Sequence, residues 1–344
     1  MRYALGFVAL QLSAAYVGSQ ACKQCHAPEF NRQSRSHHAR ALLPIGDSPL
    51  RSIATDIEGL PQKPVLEWAF GAGAQGITPV GRLDGQYFEN QLSYYSRLDG
   101  LAATFGHPAH PSNPIARLGV LQDNRTITHC FSCHATNVLP GPNLEAMQPG
   151  VQCERCHGAG SAHIAAPARG QLLNPGRLAP VAQAQVCGEC HRVAGPDTGD
   201  EPELENPVNV RFAPIGLMAS RCFRESKKLA CTTCHDPHEN ARPRTDASYN
   251  RVCRSCHTAG KSSAHVSRAG DCLSCHMKQA SLGPYLRFTD HRIRVYSARK
   301  ATIGSTEAAR KAGGSAALKA ATTSSSIVVA SVSGSNAATP YSIF

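Results

Sequence analysis

The segment Cys231-Thr-Thr-Cys234-His235-Asp-Pro-His238 gathers two thiols and an imidazole within one turn of chain. Thiols three positions apart lie on the same side of a helical turn. Both can add to the vinyl groups of a single porphyrin while the next residue, histidine, is held beneath the iron, and Cys-x-x-Cys-His is the attachment signature of c-type haem. The pattern occurs seven times, at Cys22/Cys25, Cys130/Cys133, Cys153/Cys156, Cys187/Cys190, Cys231/Cys234, Cys253/Cys256 and Cys272/Cys275. The imidazoles that follow are His26, His134, His157, His191, His235, His257 and His276, so fourteen of the 15 cysteines are used. Zinc knuckles need paired Cys-x-x-Cys but not a histidine after each pair. With 16 His in 344 residues, histidine falls at a given place about one time in twenty, and seven coincidences in seven are excluded. The motifs therefore imply seven haem c groups, each with a fixed axial histidine.

Nine histidines remain once seven are assigned. Saturating each iron with a second imidazole gives a low-spin centre that cycles between ferric and ferrous with little movement, which suits electron transfer. His238 follows its own His235 too closely to reach the far side of the same haem, so it is expected to serve a neighbour. His163, trailing Cys156-His157-Gly-Ala-Gly, is expected to do likewise. His38 in Ser-His-His-Ala, His291 in Phe-Thr-Asp-His, His129, His265 and His110 complete the expected distal set. His110 is preferred to His107, and His37 is expected to face solvent. Met277 reads as packing and Cys222 as a buried inert thiol.

Composition agrees with a chain that borrows its core. Aromatic residues make up 6% and Trp68 is the sole tryptophan, so porphyrins would supply much of the missing apolar mass. The formal charge of +11 would ordinarily point to nucleic acid or a membrane surface. Each haem adds roughly two propionates, which offsets that excess. No nucleic-acid partner is implied, and Arg155, Arg192, Arg254 and Lys278 read as propionate partners.

The chain divides into a signal peptide at 1–15, an N-terminal haem region with a small β insert at 16–129, a six-haem region at 130–296 and a low-complexity tail at 297–344. The first has a basic residue, a short apolar run from Ala4 to Leu12 and small residues before a cleavage point, which implies export. No apolar stretch long enough to span a membrane follows. The insert shows short apolar runs at Val65–Phe70, Ile77–Leu83 and Gln86–Leu92, with Asp84-Gly85 as a hairpin signal. The tail contains one apolar run, Ile327–Val332, and reads as disordered. Six motifs between Cys130 and His276 leave room for a turn or two of helix per haem. The expected fold is mainly α with extensive coil, wrapped around stacked haems, with a small antiparallel β element in the N-terminal half.

Several segments bring a family into view: Tyr16-Val-Gly-Ser-Gln-Ala-Cys-Lys-Gln-Cys-His26 with Ser36-His-His-Ala, Gly150-Val-Gln-Cys-Glu-Arg-Cys-His-Gly158 with His163, Cys231-Thr-Thr-Cys-His-Asp-Pro-His238, and Asp271-Cys-Leu-Ser-Cys-His-Met277 with Phe288-Thr-Asp-His291. They resemble the multihaem c-type cytochromes related to the tetrahaem electron carrier of ammonia oxidisers. The resemblance covers roughly Tyr16 to Val295. It implies a periplasmic or extracellular carrier with bis-histidine haems, and matches the histidines at 38, 163, 238 and 291 to distal positions. Gln33 departs from the family's usual aromatic residue, and the tail stands where tetratricopeptide repeats often follow.

The leading expectation is a non-catalytic conduit working with redox partner proteins. A second is a reductase of a small nitrogen or sulfur oxyanion at one five-coordinate haem, although no motif carries lysine in place of the proximal histidine. A third is a polymeric filament in which copies of the chain share haem ligands.

Overall fold

The computed structural model describes residues 15–138, 144, 146–193, 207–257 and 271–294. Each Cys-x-x-Cys-His segment forms a helical turn, closed for example by His26 N–H donating to Cys22 O at 2.9 Å and His235 N–H to Cys231 O at 3.0 Å. The first motif lies on and just after α1 (Ser19–Lys23), and α2 (Ala27–Gln33) follows with proline in its first turn, where a missing N–H costs nothing.

The next hundred residues carry no motif and form a sheet. Its strands are β1 (Leu42–Pro44), β2 (Val65–Phe70), β3 (Gly76–Leu83), β4 (Gln86–Asn90), β5 (Leu92–Tyr95), β6 (Gly100–Ala103) and β7 (Gly119–Leu121), with α3 (Pro114–Leu118) before the last. The order is β1-β2-β3-β4-β7, all antiparallel, with β5 pairing both β3 and β6. Asp84 and Gly85 take φ of +49° and +77°, the mirror-image turn whose twist matches a two-residue hairpin. Neighbouring residues on a strand point to opposite faces, and both faces are covered here. Tyr87 joins Leu42, Phe70 and Val80 on one side, whereas Phe88 packs with Leu83 and Leu118 on the other.

The Tyr87 side receives α4 (Asn124–His134), whose first turn is capped by Asp123 accepting from Thr126 N–H at 2.6 Å. Ile127 and Phe131, one turn apart, press into the sheet. Phe131 meets the rings of Phe70, Trp68 and Tyr87 at 5.0, 5.8 and 5.8 Å. The second motif, at the end of α4, is thereby seated on a conventional core.

Beyond it the elements shorten. β8 (Ala135–Thr136) pairs β9 (Gln148–Pro149), followed by α5 (Cys153–His157), α6 (Ser161–Ala165), α7 (Pro180–His191), α8 (Ala213–Ala219) and α9 (Arg221–Ser226). Then come α10 (Cys231–Cys234), α11 (Ala247–Cys256), α12 (Cys272–His276) and a hairpin of β10 (Gln279–Leu282) with β11 (Leu286–Thr289).

The expected short helices and antiparallel β element are both present, and the β element is larger than expected. Short helices and antiparallel strands share the chain, and the N-terminal sheet has seven strands. β1, β6 and β7 are three or four residues long, too short to show an alternating pattern, and they are recruited by neighbours already formed. No helix among the described residues is long and apolar enough to cross a membrane. Met1 to Ala14 of the signal peptide, His265, and the tail at 297–344 lie outside the described residues.

Candidate functional site

Four of the motif histidines face a second imidazole from a distant part of the chain. His26 pairs with His163 at 6.4 Å between ring centres, His157 with His238 at 6.3 Å, His191 with His38 at 6.0 Å, and His235 with His291 at 6.3 Å. These separations are too long for ring stacking in contact. Two imidazoles on opposite sides of one metal ion stand about 6.2 Å apart, from about 2 Å per metal–nitrogen bond and about 1.1 Å from nitrogen to ring centre on each side. The gap fits one iron, and each pair includes the histidine of a Cys-x-x-Cys-His turn. The donor set thus fits haem c: His26, His157, His191 and His235 would hold the iron from their motifs, and His163, His238, His38 and His291 would supply the second imidazole. Among the described residues no three His, Cys, Asp or Glu side chains converge as a metal-ion site would require, and none of the 15 cysteines is in a disulfide.

The fourteen thiols expected to bind haem are not equally enclosed. Most are half-buried, but Cys25, Cys256 and Cys275 are exposed. Each is the second thiol of its motif, at the end of a short turn. In the first and seventh motifs it is the first thiol that faces a neighbour, Cys22 meeting Cys153 and Cys272 meeting Cys253, so the turn directs Cys25 and Cys275 outward. Exposure leaves a thiol able to form a thioether, and it puts one edge of the first, sixth and seventh sites at the surface.

The tautomers agree with ligation. An imidazole that donates through Nδ1 offers Nε2 to a metal. His157 Nδ1 donates to Leu173 O at 2.7 Å, His163 to Gln171 Oε1 at 3.1 Å, His38 to Pro237 O at 3.2 Å, His238 to Asp236 Oδ1 at 2.9 Å and His291 to Thr289 O at 2.9 Å. His134 and His276 are oriented alike, by Ala41 O at 2.9 Å and Arg294 O at 3.0 Å. Desolvation lowers the pKa of His134, His157 and His235, and desolvation followed by the neighbouring His235 pushes His291 down to about 4. Each stays neutral, the form that ligates.

Each distal residue is placed by a local device. Glu154, only 3% exposed inside the third motif, accepts from Val17, Gly18 and Gly160 N–H at 2.8 to 2.9 Å. It thereby joins the chain ahead of α1 to the start of α6, which carries His163. His38 is fixed by Val151 N–H donating to its carbonyl at 2.8 Å. That approach needs Gly150, whose φ is +78° and whose place would push a β-carbon onto Ala39 O. Ser220 at the end of α8 accepts from Ile293 N–H at 2.8 Å and donates to His291 O at 3.2 Å. Gln33 is buried and donates to Val151 O at 2.7 Å.

The motifs touch in an order that differs from the sequence. Cys22 of the first meets Cys153 of the third, and Arg155 of the third reaches Glu189 at 2.8 Å and Cys190 at 3.6 Å in the fourth. Cys187 of the fourth meets Cys231 of the fifth. The fifth lies against the sixth through α10 and α11, and Cys253 meets Cys272 of the seventh. The second motif branches off the fourth through Cys133 and Cys190.

Other residues singled out from the sequence are placed differently. His107 has both ring nitrogens engaged, with Gln91 at 3.2 Å and Glu89 at 3.3 Å, so it is committed to the sheet. His110, His37 and His129 are exposed, the last on α4 beside its own motif. His257 is exposed after α11. Cys222 on α9 is half-buried near Cys256. Arg192 lies over Phe212 at 5.0 Å. Met277 backbone O accepts from Arg244 at 2.8 Å. Asp236, Glu154 and Ser220 fall outside the residues that motif reading singles out. Asp236 carries a signal, since Asp-Pro favours turn initiation, and its carboxylate closes an Asx turn on His238 N–H.

Residues 224–262 match the family described as "Doubled CXXCH motif", and 107–158 match "Cytochrome c554 and c-prime". No curated protein matches the chain. Among solved structures, the outer cell wall cytochrome OcwA has a similar fold, with a TM-score of 0.53 at 17% identity over 84% of this chain and 81% of that one. An undecahaem cytochrome from the S-layer of Carboxydothermus ferrireducens gives 0.44 at 16% identity over 82% of this chain and 52% of that one. The octahaem sulfite reductase MccA of Wolinella succinogenes gives 0.46 at 16% identity, over 82% and 58%.

Proposed function

We propose, for a chain whose motifs and fold resemble those of multihaem c-type cytochromes, the role of an exported electron conduit with seven haem c groups. Haem c, when bound, supplies a one-electron ferric/ferrous couple whose potential the protein tunes. The observation that carries this reading is the set of four imidazole pairs at 6.0 to 6.4 Å. A site with both axial positions filled by protein has none open for substrate, so it suits transfer rather than turnover. The chain's own residues hold the pairs rigidly: Nδ1 is tied to carbonyls or side chains, and Glu154, Gly150 and Ser220 fix the backbone. Motif contacts supply a continuous route from the first through the third, fourth, fifth and sixth to the seventh, with the second as a branch. The exposed thiols Cys25 and Cys275 belong to the two ends of that route, where electrons would enter and leave, and Cys256, also exposed, belongs to the sixth motif next to its end.

The remaining motif histidines, His134, His257 and His276, take their second ligands from the expected set of His110, His129 and His265. Partners are redox proteins, without nucleic acid, and further copies of the chain are candidates at the ends of the route. A periplasmic or extracellular site is supported by the chemistry of c-type attachment and by the similar fold of OcwA, an outer cell wall cytochrome. The relation to the carrier of ammonia oxidisers belongs to the same reading. The test is made on protein from a host competent for cytochrome maturation. Its mass should equal the exported polypeptide plus seven haems, and the reduced protein should be inert to nitrite, hydroxylamine and tetrathionate in viologen-coupled assays. Steady turnover would replace the conduit with a reductase, and fewer than seven groups would overturn the stoichiometry.

A further inference from the structure

The four distal imidazoles differ in what accepts their Nδ1–H. His38 and His291 donate to backbone carbonyls and His163 to an amide oxygen, whereas His238 donates to the carboxylate of Asp236 at 2.9 Å. The same Oδ1 also accepts the backbone N–H of His238 at 2.9 Å, so Asp236 and His238 form one closed unit. The other oxygen, Oδ2, is 2.7 Å from Arg32 on α2, and Arg32 also reaches Glu239 at 3.1 Å. Arg32 therefore draws on the carboxylate from the side opposite the imidazole.

We propose that Asp236 is a positioning residue that lowers the reduction potential of the site held by His157 and His238, and that Arg32 sets how far. A carboxylate accepting the ligand's N–H makes the imidazole a stronger donor and favours the ferric state. A guanidinium on the second oxygen withdraws charge from that carboxylate and moderates the effect. The link also joins the first motif's following helix to the loop that supplies the third motif's distal ligand. This inference rests on the bis-histidine reading of that pair.

The two residues are expected to act in opposite directions, which glue between α2 and the 236–240 loop would not do. In the haem-loaded protein, Asp236→Asn should raise the ferrous/ferric ratio of one low-spin haem about tenfold at a fixed potential, equivalent to about 59 mV for one electron. Arg32→Gln should lower that ratio about threefold. Both are read by potentiometric titration followed by low-temperature electron paramagnetic resonance, with the low-spin signals retained. Shifts in the same direction, or no shift from either variant, would overturn the proposal. His238→Ala separates the two levels. Loss of one low-spin signal is expected, and an unchanged spectrum would remove the ligand pair and the proposal with it.

Discussion

The sheet from β1 to β7 with α4 and the region from α5 to β11 solve the same problem, burying enough apolar surface to hold a chain, by different means. In the first, Leu42, Phe70, Phe88, Leu118 and Phe131 are at most 1% exposed, and Phe131 meets the rings of Phe70, Trp68 and Tyr87 at about 5 to 6 Å. In the second, the main cluster is Ala184, Leu217 and Phe223, and the helices there are mostly a single turn or two. Turns that short are not stable on their own. The first region is organised by side chains. The second has few such contacts, and pairs of imidazoles from distant segments face each other there across a gap that fits one iron.

The sharpest way to break that contrast is to withhold the cofactor. Made where thioethers do not form, the chain should keep slow amide exchange in β2, β3 and β4, while α5 to α12 exchange at rates close to those of an unfolded chain. Equal protection in both regions would contradict the division.

Next in size is Phe131→Ala, which empties the point where sheet and second motif meet. A cost of about 3–5 kcal/mol is expected, seen as a lower thermal midpoint with the His134 site disturbed first. Glu154→Ala probes the other region. Losing the buried acceptor of three backbone N–H groups should cost about 3 kcal/mol and convert the His26/His163 site to a high-spin spectrum while sheet exchange stays unchanged. A change confined to the sheet would place Glu154 wrongly.

The smallest effect is that of pH. The folded pKa of His291 is about 4 against about 6.5 in an unfolded chain. The unfolded state therefore takes up the proton first, so this contribution is complete above pH 6.5 and shrinks as the pH falls toward 4. The thermal midpoint should fall as the pH drops through that window, with slow amide exchange at the hairpin of Asp84 and Gly85 unaffected. A midpoint constant down to pH 4 would contradict the stated burial.

The same contrast explains what is legible in the sequence. The hairpin is readable because Asp84-Gly85 and the apolar runs beside it are local signals, and the motif turns because their chemistry lies within five residues. The size of the sheet is not, since β1 and β7 carry no pattern of their own and exist only through their partners. The four histidines at 38, 163, 238 and 291 can be singled out from their local contexts. Which motif each faces cannot, because that depends on contacts such as Pro237 to His38 across about two hundred residues. His238 stands three residues after His235 yet faces His157. The contact order of the motifs is equally non-local. So is the outward placement of Cys25 and Cys275, because identical motif spacing says nothing of which thiol meets a neighbour. Asp236 is hidden inside a motif whose cysteines and histidines carry the obvious chemistry.

Low-temperature electron paramagnetic resonance of the fully oxidised, haem-loaded protein, integrated per chain, tests most directly whether paired imidazoles organise this molecule. The account predicts low-spin signals amounting to at least four irons, one for each pair His26/His163, His157/His238, His191/His38 and His235/His291. A spectrum in which high-spin iron accounts for most of the haem would contradict it.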